Sequence, residues 1–227
     1  MTNKEVREAI IDTLSIIQRE GINELLDYLV STDFYTAPAS TRYHGCYEGG
    51  LAQHSYDVYF RLLMFYRTLN PGKATGLGQN PLPLTEENIA IAAILHDVCK
   101  VDAYRKTKKP DAKVPYYWNK ATPKGHAILS ISRIKSIIEL EPIEELIIRY
   151  HMGVYGLNEF YGPKDWGSGE YPLRGDHINT ESMSKEESKK YRYGKSLANA
   201  WYHNPICKLA YFADELATLS EKQSESK

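Results

Sequence analysis

Little in this sequence marks it for the outside of a cell. Cysteine is scarce: Cys46, Cys99 and Cys207 are the only three in 227 residues. They form no Cys-x-x-Cys pair and are odd in number, which speaks against a disulfide framework or a thiolate metal site and fits ordinary core thiols in a reducing cytoplasm. The first residues, Met-Thr-Asn-Lys-Glu-Val-Arg-Glu, lack the apolar core of a secretion signal, and no apolar run approaches membrane-spanning length. A soluble, cytoplasmic protein with no membrane partner is therefore expected. Charge of one sign is lacking too: 28 Lys and Arg stand against 29 Asp and Glu, a net charge of -1. No global basic field advertises a nucleic-acid binder, so an anionic substrate has to be attracted locally. No internal repeat is visible, and 227 residues suit one substantial core better than two. Residues 1–227 are read as a single domain.

What is present is a succession of amphipathic helices. Residues 4–20 and 22–31 have helical spacing and read as a hairpin of helices broken at Gly21, followed by a loop over 33–44. In 48–69, Leu51, His54, Val58, Leu62 and Phe65 trace one stripe. A Gly- and Pro-rich loop over 71–84 leads to Thr85, an N-cap before Glu86 and Glu87, and then to the apolar run 89–101. Residues 104–120 carry Arg105, Lys106, Lys108, Lys109 and Lys113, then Tyr116, Tyr117 and Trp118, and read as a short hairpin or flap. Thr122 and Pro123 read as the start of the next helix, and Glu141 with Pro142 as the start of another, ending near Tyr150. An irregular loop over 153–182, a helix over 184–202, a last helix opened by Pro205 and a disordered tail over 221–227 complete the reading.

Within this frame, His96 and Asp97 stand side by side near the end of an oily helix. Burying them costs free energy unless something binds them, and a divalent metal is the simplest candidate. On continuous helix the two side chains lie about a hundred degrees apart, and Lys100 follows one turn later. His54 faces inward from its own stripe. Asp214 is flanked by Ala210 and Ala217, which leave room beside it, and His126 and His151 also sit on helices with apolar faces. Imidazoles with carboxylates suit manganese, iron, zinc, nickel or magnesium, and there are more such residues than one tetrahedral site uses. Two ions about 4 Å apart can share a bridging hydroxide and clamp a phosphate.

The order His54, His96-Asp97, His126, His151, Asp214 resembles the HD-domain metal-dependent phosphohydrolases, with their pattern of H, HD, H, H and a final D. Glu48-Gly-Gly-Leu-Ala-Gln-His-Ser55 resembles the family's glycine-leucine-x-x-histidine helix start, and Ile94-Leu-His-Asp-Val-Cys-Lys100 its HDxxK segment. Gly125-His126 and Tyr150-His-Met-Gly153 are similar to the extra histidine motifs of binuclear members, and the likeness spans roughly residues 40–220.

The resemblance implies an all-α HD-type helical bundle, here with a small β-hairpin insertion, and a phosphohydrolase acting on a nucleotide, a dinucleotide or a single-stranded RNA 3′ end. It implies that His54, His96, Asp97 and Asp214 hold one metal and Asp97, His126 and His151 a second, with Asp97 as the bridge. Lys100 would contact a phosphate oxygen, and His44 and Arg42 are substrate-contact candidates. Solvated charge remains the plain alternative for Arg42 and the basic flap, and a half-buried strand for Tyr116, Tyr117 and Trp118. His177 and His203 fall outside the motifs. A nucleotide-binding sensor without turnover, or a helical interaction domain stapled by metal, would use many of the same residues. Oligomeric state is left open.

Overall fold

The computed structural model describes residues 1–42, 44–69, 83–108, 114–123, 125–156 and 184–225, and in them the chain is all-α with one two-stranded hairpin. Thr2 and Glu5 open α1 (Asn3–Ser15) with a capping box that satisfies two N-terminal donors reciprocally. Val6, Ile10 and Leu14 then bury one face. The helix stops five residues short of the expected end at 20. Ile17 caps back onto the Leu14 carbonyl and enters the core, while Arg19 turns away to meet Glu87 and Glu144. Gly21, at φ +84, then admits the chain into α2 (Ile22–Ser31).

A pair of glycines fixes how α3 (Gly50–Leu69) begins. Gly49 has φ +87 and a Cβ there would strike the Asn3 amide, while one on Gly50 would strike the Gly45 carbonyl. The loop before α3 is thus pressed against the helix start. α4 (Glu86–Leu95) is opened by a capping box between Thr85 and Asn88, and every residue from Asn88 to Leu95 is buried, so it is the central helix. It ends sooner than the apolar run suggested: His96 is its C-cap, and 98–100 form a 3-10 turn. Asp97 therefore leaves the helix at the turn rather than projecting from a continuous one.

The hairpin expected in 104–120 is present as β1 (Tyr104–Lys106) and β2 (Tyr116–Trp118), antiparallel, with Tyr104 opposite Trp118 and the two rings edge to face at 5.3 Å. Lys109 and Lys113 lie outside the described residues. α5 (His126–Lys135) begins at His126 after Gly125, not at Pro123; the Thr122 amide instead closes a turn on the Asn119 carbonyl. α6 (Pro142–Tyr150) starts as expected, with Pro142 in the first turn and a capping box between Glu141 and Glu144. α7 (Lys185–His203) and α8 (Pro205–Glu225) complete the order. Backbone expected to be disordered from 221 onward is helical as far as Glu225. The expected 153–182 loop is described only over 153–156, where Gly153–Tyr155 make a 3-10 turn; the remainder, with His177, lies outside the described residues.

α3 packs on α4 and α8, α4 on α6, and α6 on α8, so these four helices close a ring. One buried cluster runs from Val6 in α1 to Ala217 in α8. No helix among the described residues is long and apolar enough to cross a membrane.

Candidate metal centre

The ring of helices delivers the centre. His54 enters from the first turns of α3, His96 caps α4, Asp97 follows it, His151 caps α6 and Asp214 comes from α8. His126, the first residue of α5, enters from the side, since α5 packs against α6 and the 3-10 turn. Ring centroids of His54 and His96 are 5.4 Å apart, of His96 and His151 4.7 Å, and of His126 and His151 5.3 Å. His54, His96, Asp97 and His151 are each no more than 2% exposed. The sequence spreads these six residues over five helical segments; the fold brings all of them together.

Asp97 is the middle of the cluster, and its two oxygens face different partners. Oδ2 lies 2.5 Å from Lys100 Nζ, 3.4 Å from His96 Nε2 and 3.9 Å from His54 Nε2. Oδ1 meets His126 Nε2 and stands 3.9 Å from His151 Nε2. Asp214 Oδ1 is 3.0 Å from His54 Nε2. Donor atoms of His54, His96 and Asp97 fall within 4.8 Å of one another, as do those of His96, His151 and Asp214 and those of Asp97, Cys99 and His126. The groups adjoin and share members, so the centre is one continuous patch of ligand atoms.

Two of its histidines, His96 and His151, are in the form a metal needs; burial opposes charge on His126, but Cys99 and Asp97 outweigh it and raise its pKa, so this ring must release a proton to ligate. Nδ1 of His96 donates to the Ala93 carbonyl at 2.7 Å and Nδ1 of His151 to the Ile148 carbonyl at 2.6 Å. That leaves each Nε2 with its lone pair toward the centre. Both Nε2 atoms are buried and make no hydrogen bond among the described residues. A buried nitrogen in that condition costs about 1–3 kcal/mol, and a cation among His96, His151 and Asp214, whose donor atoms lie within 4.8 Å of one another, would relieve both. These buried His, Asp and Cys groups fit divalent metal ions.

Charge at the centre is organised around the carboxylates. Burial opposes ionisation of Asp97, but Lys100, His126 and His96 outweigh it and hold its pKa well below the ordinary carboxylate range. Burial likewise opposes Asp214, and His54 more than offsets it, leaving that pKa lowered too. Lys100 is pushed up, since Asp97 overcomes the burial that works against its charge. His151 goes the other way: burial, with His96 beside it, lowers it to about 3, so it stays neutral. The centre thus holds two carboxylates ionised and keeps His151 available as a ligand.

His44 is brought to the rim of this cluster, its ring 4.9 Å from that of His54. Ser40 pins the loop, its Oγ accepting from the His44 amide at 3.0 Å and donating to the His44 carbonyl at 2.8 Å. Burial and the nearby His54 lower its pKa to about 3. Arg42 is not part of the cluster. It is exposed and lines a cleft of about 400 Å³ with Thr41, Thr107, Tyr116, Tyr117 and Trp118. His203 stacks edge-on against Tyr202, away from the ligand groups. Sequence reading passed over Cys99, whose Sγ lies 2.8 Å from His126 Nδ1. It also passed over the ion pair between half-buried Arg19 and fully buried Glu144, which meets α4 and α6. The only signal for Cys99 was its place between Asp97 and Lys100.

No protein-family model matches the chain, and no curated protein and no solved structure matches it either. The site's own geometry therefore carries the functional reading.

Proposed function

We propose that this protein is a metal-dependent phosphohydrolase of the HD type, acting on the phosphoester of a nucleotide, a dinucleotide or an RNA 3′ end, with two divalent ions held between its helices. The observation that carries the proposal is the division of Asp97: one oxygen toward His54 and His96, the other toward His126 and His151. A carboxylate so placed is suited to bridging two cations. His54, His96, Asp97 and Asp214 would hold one, and Asp97, His126 and His151 the other. When bound, two such ions lower the pKa of a water and neutralise charge on the phosphate oxygens. No side-chain nucleophile is then required.

The protein's own residues supply the rest. Lys100 keeps Asp97 ionised and sets a positive charge beside the reacting phosphate. His44, neutral and at the rim, offers a nitrogen to a phosphate oxygen or a sugar hydroxyl. The cleft between the hairpin and Arg42 is of a size that ligand pockets have. Its aromatic side chains present faces on which a base can stack, and Tyr104 links the hairpin to the loop before α3 through the Ala39 carbonyl at 3.4 Å. A substrate with its phosphate at Asp97 and its base against Trp118 uses both regions.

Chelation is the direct test. Hydrolysis of nucleotide phosphoesters and of a generic phosphodiester is expected from the purified chain, to vanish with a chelator and to return with manganese. Turnover that persists in full after exhaustive chelation would refute the proposal. Lys100→Ala is expected to leave metal content unchanged and to lower kcat about 10²-fold, the scale of losing one electrostatic contact to the transition state; unchanged kinetics would return Lys100 to the ordinary role of a cation at a helix end. Trp118→Ala is expected to raise KM about tenfold, the value of one lost stacking contact, with kcat much less affected. A KM equal to that of the unaltered protein would place the base elsewhere.

A further inference from the structure

The two histidines that end helices solve a common problem in the same way. Each must present Nε2 to the carboxylates and hold Nδ1–H on an acceptor, and the last turn of a helix has carbonyls to spare. His96 uses Ala93 and His151 uses Ile148, both three residues back. His126 has no such recourse. It is the first residue of α5, and the start of a helix offers N–H donors rather than free carbonyls. An acceptor must come from another part of the chain.

Cys99 is in that place. Its Sγ lies 2.8 Å from His126 Nδ1, while Nε2 of the same ring meets Asp97 Oδ1. The thiol is itself fixed, because the Cys99 amide donates to Ser130 Oγ at 3.1 Å, one turn along α5 from His126. Cys99 is 2% exposed yet takes no part in the main apolar cluster, whereas Cys207, equally buried, packs within it. We infer that Cys99 is the positioning residue for His126: its sulfur accepts from Nδ1–H and fixes the ring, so that Nε2, which donates to Asp97 Oδ1 in this structure, would give up that proton and serve as a ligand when the second metal binds. The second half of the centre then depends on this thiol through His126 as well as on the Ile148 carbonyl through His151, while His96 in the first half is held by the Ala93 carbonyl. The inference rests on the two-metal reading above and adds to it a residue that binds no metal itself.

Manganese titration of the full chain, followed by calorimetry, tests it. The unaltered protein is expected to take up two ions. Cys99→Ala should bind the first with unchanged affinity and the second about 10- to 100-fold more weakly, the usual effect of removing the partner of a ligating histidine. Cys99→Ser should recover most of the loss: its oxygen sits on a shorter bond, and from 2.8 Å it stays within hydrogen-bond reach of Nδ1. A merely space-filling cysteine would show no such rescue. Both sites at full affinity in Cys99→Ala, or a Cys99→Ser as weak as Cys99→Ala, would overturn the inference while leaving the two-metal reading intact. No manganese in the unaltered protein would overturn both. Should Cys99→Ala fail to fold, ring ¹⁵N shifts of the zinc-loaded unaltered protein decide instead: His126 must carry its proton on Nδ1, and a proton on Nε2 would contradict the assignment.

Discussion

Asp97→Ala is expected to remove both metals and to lower hydrolysis by at least about 10³-fold, beyond what the loss of one transition-state contact costs. The size follows from position. Among the described residues Asp97 is the one carboxylate in reach of His54, His96, His126 and His151 at once, and its pKa is held down so that it stays ionised in a fully buried setting. Without it, Lys100 and the histidines face one another with Asp214 alone among the described carboxylates to balance them, and the centre no longer favours a cation. His126→Ala and His151→Ala make the contrast, since each lies on one side of Asp97. Each is expected to keep close to one ion per chain and still lose most turnover. Metal analysis of the three variants checks this, and an Asp97→Ala protein that retains two ions would sink the bridging assignment.

Arg19→Ala is expected to destabilise the fold by about 3 kcal/mol, the lower end of what stripping the partner from a buried charge costs, since Glu144 is fully buried and Arg19 half-buried. Glu144 is fully buried at the start of α6. Arg19 grips it twice, at 2.8 and 2.9 Å, and reaches Glu87 at 2.8 Å with the same guanidinium. Among the described residues the other donors to the Glu144 carboxylate are the Asn88 amide at 2.9 Å and the Glu141 backbone N–H at 2.8 Å. Both are neutral, so removing Arg19 leaves a buried charge without its counterion. The pair joins the α1–α2 connection to α4 and α6, the two helices that His96 and His151 cap, so metal affinity should fall together with stability. Urea unfolding reads the loss, and Glu144→Gln in the Arg19→Ala background should recover part of it by removing the stranded charge. A change below about 1 kcal/mol would mean that water reaches Glu144 in place of Arg19.

The sequence makes the candidate ligands legible for a simple reason. His54 and His151 occupy positions on apolar stripes where a hydrocarbon belongs, and polar residues there stand out before any contact is known. Helix starts carried by side-chain caps, such as Thr85 and Pro142, are equally readable because the cap is a local device. Other features have no local cause. α1 ends early because Arg19 is drawn to a partner 125 positions away. Asp97 turns off α4 where the 3-10 turn begins, which helical spacing does not foretell. α5 starts at His126 because Gly125 adopts a left-handed conformation, although Thr122 and Pro123 carry the stronger capping chemistry. Cys99 reads as an ordinary small core residue until His126 is seen to lack a carbonyl of its own.

The metal content of the purified full chain tests the central claim most directly. Close to two divalent ions per chain, removed by a chelator with loss of phosphoester hydrolysis, is the expected result. A protein that binds no divalent ion when manganese is supplied would contradict the account, whatever it hydrolyses.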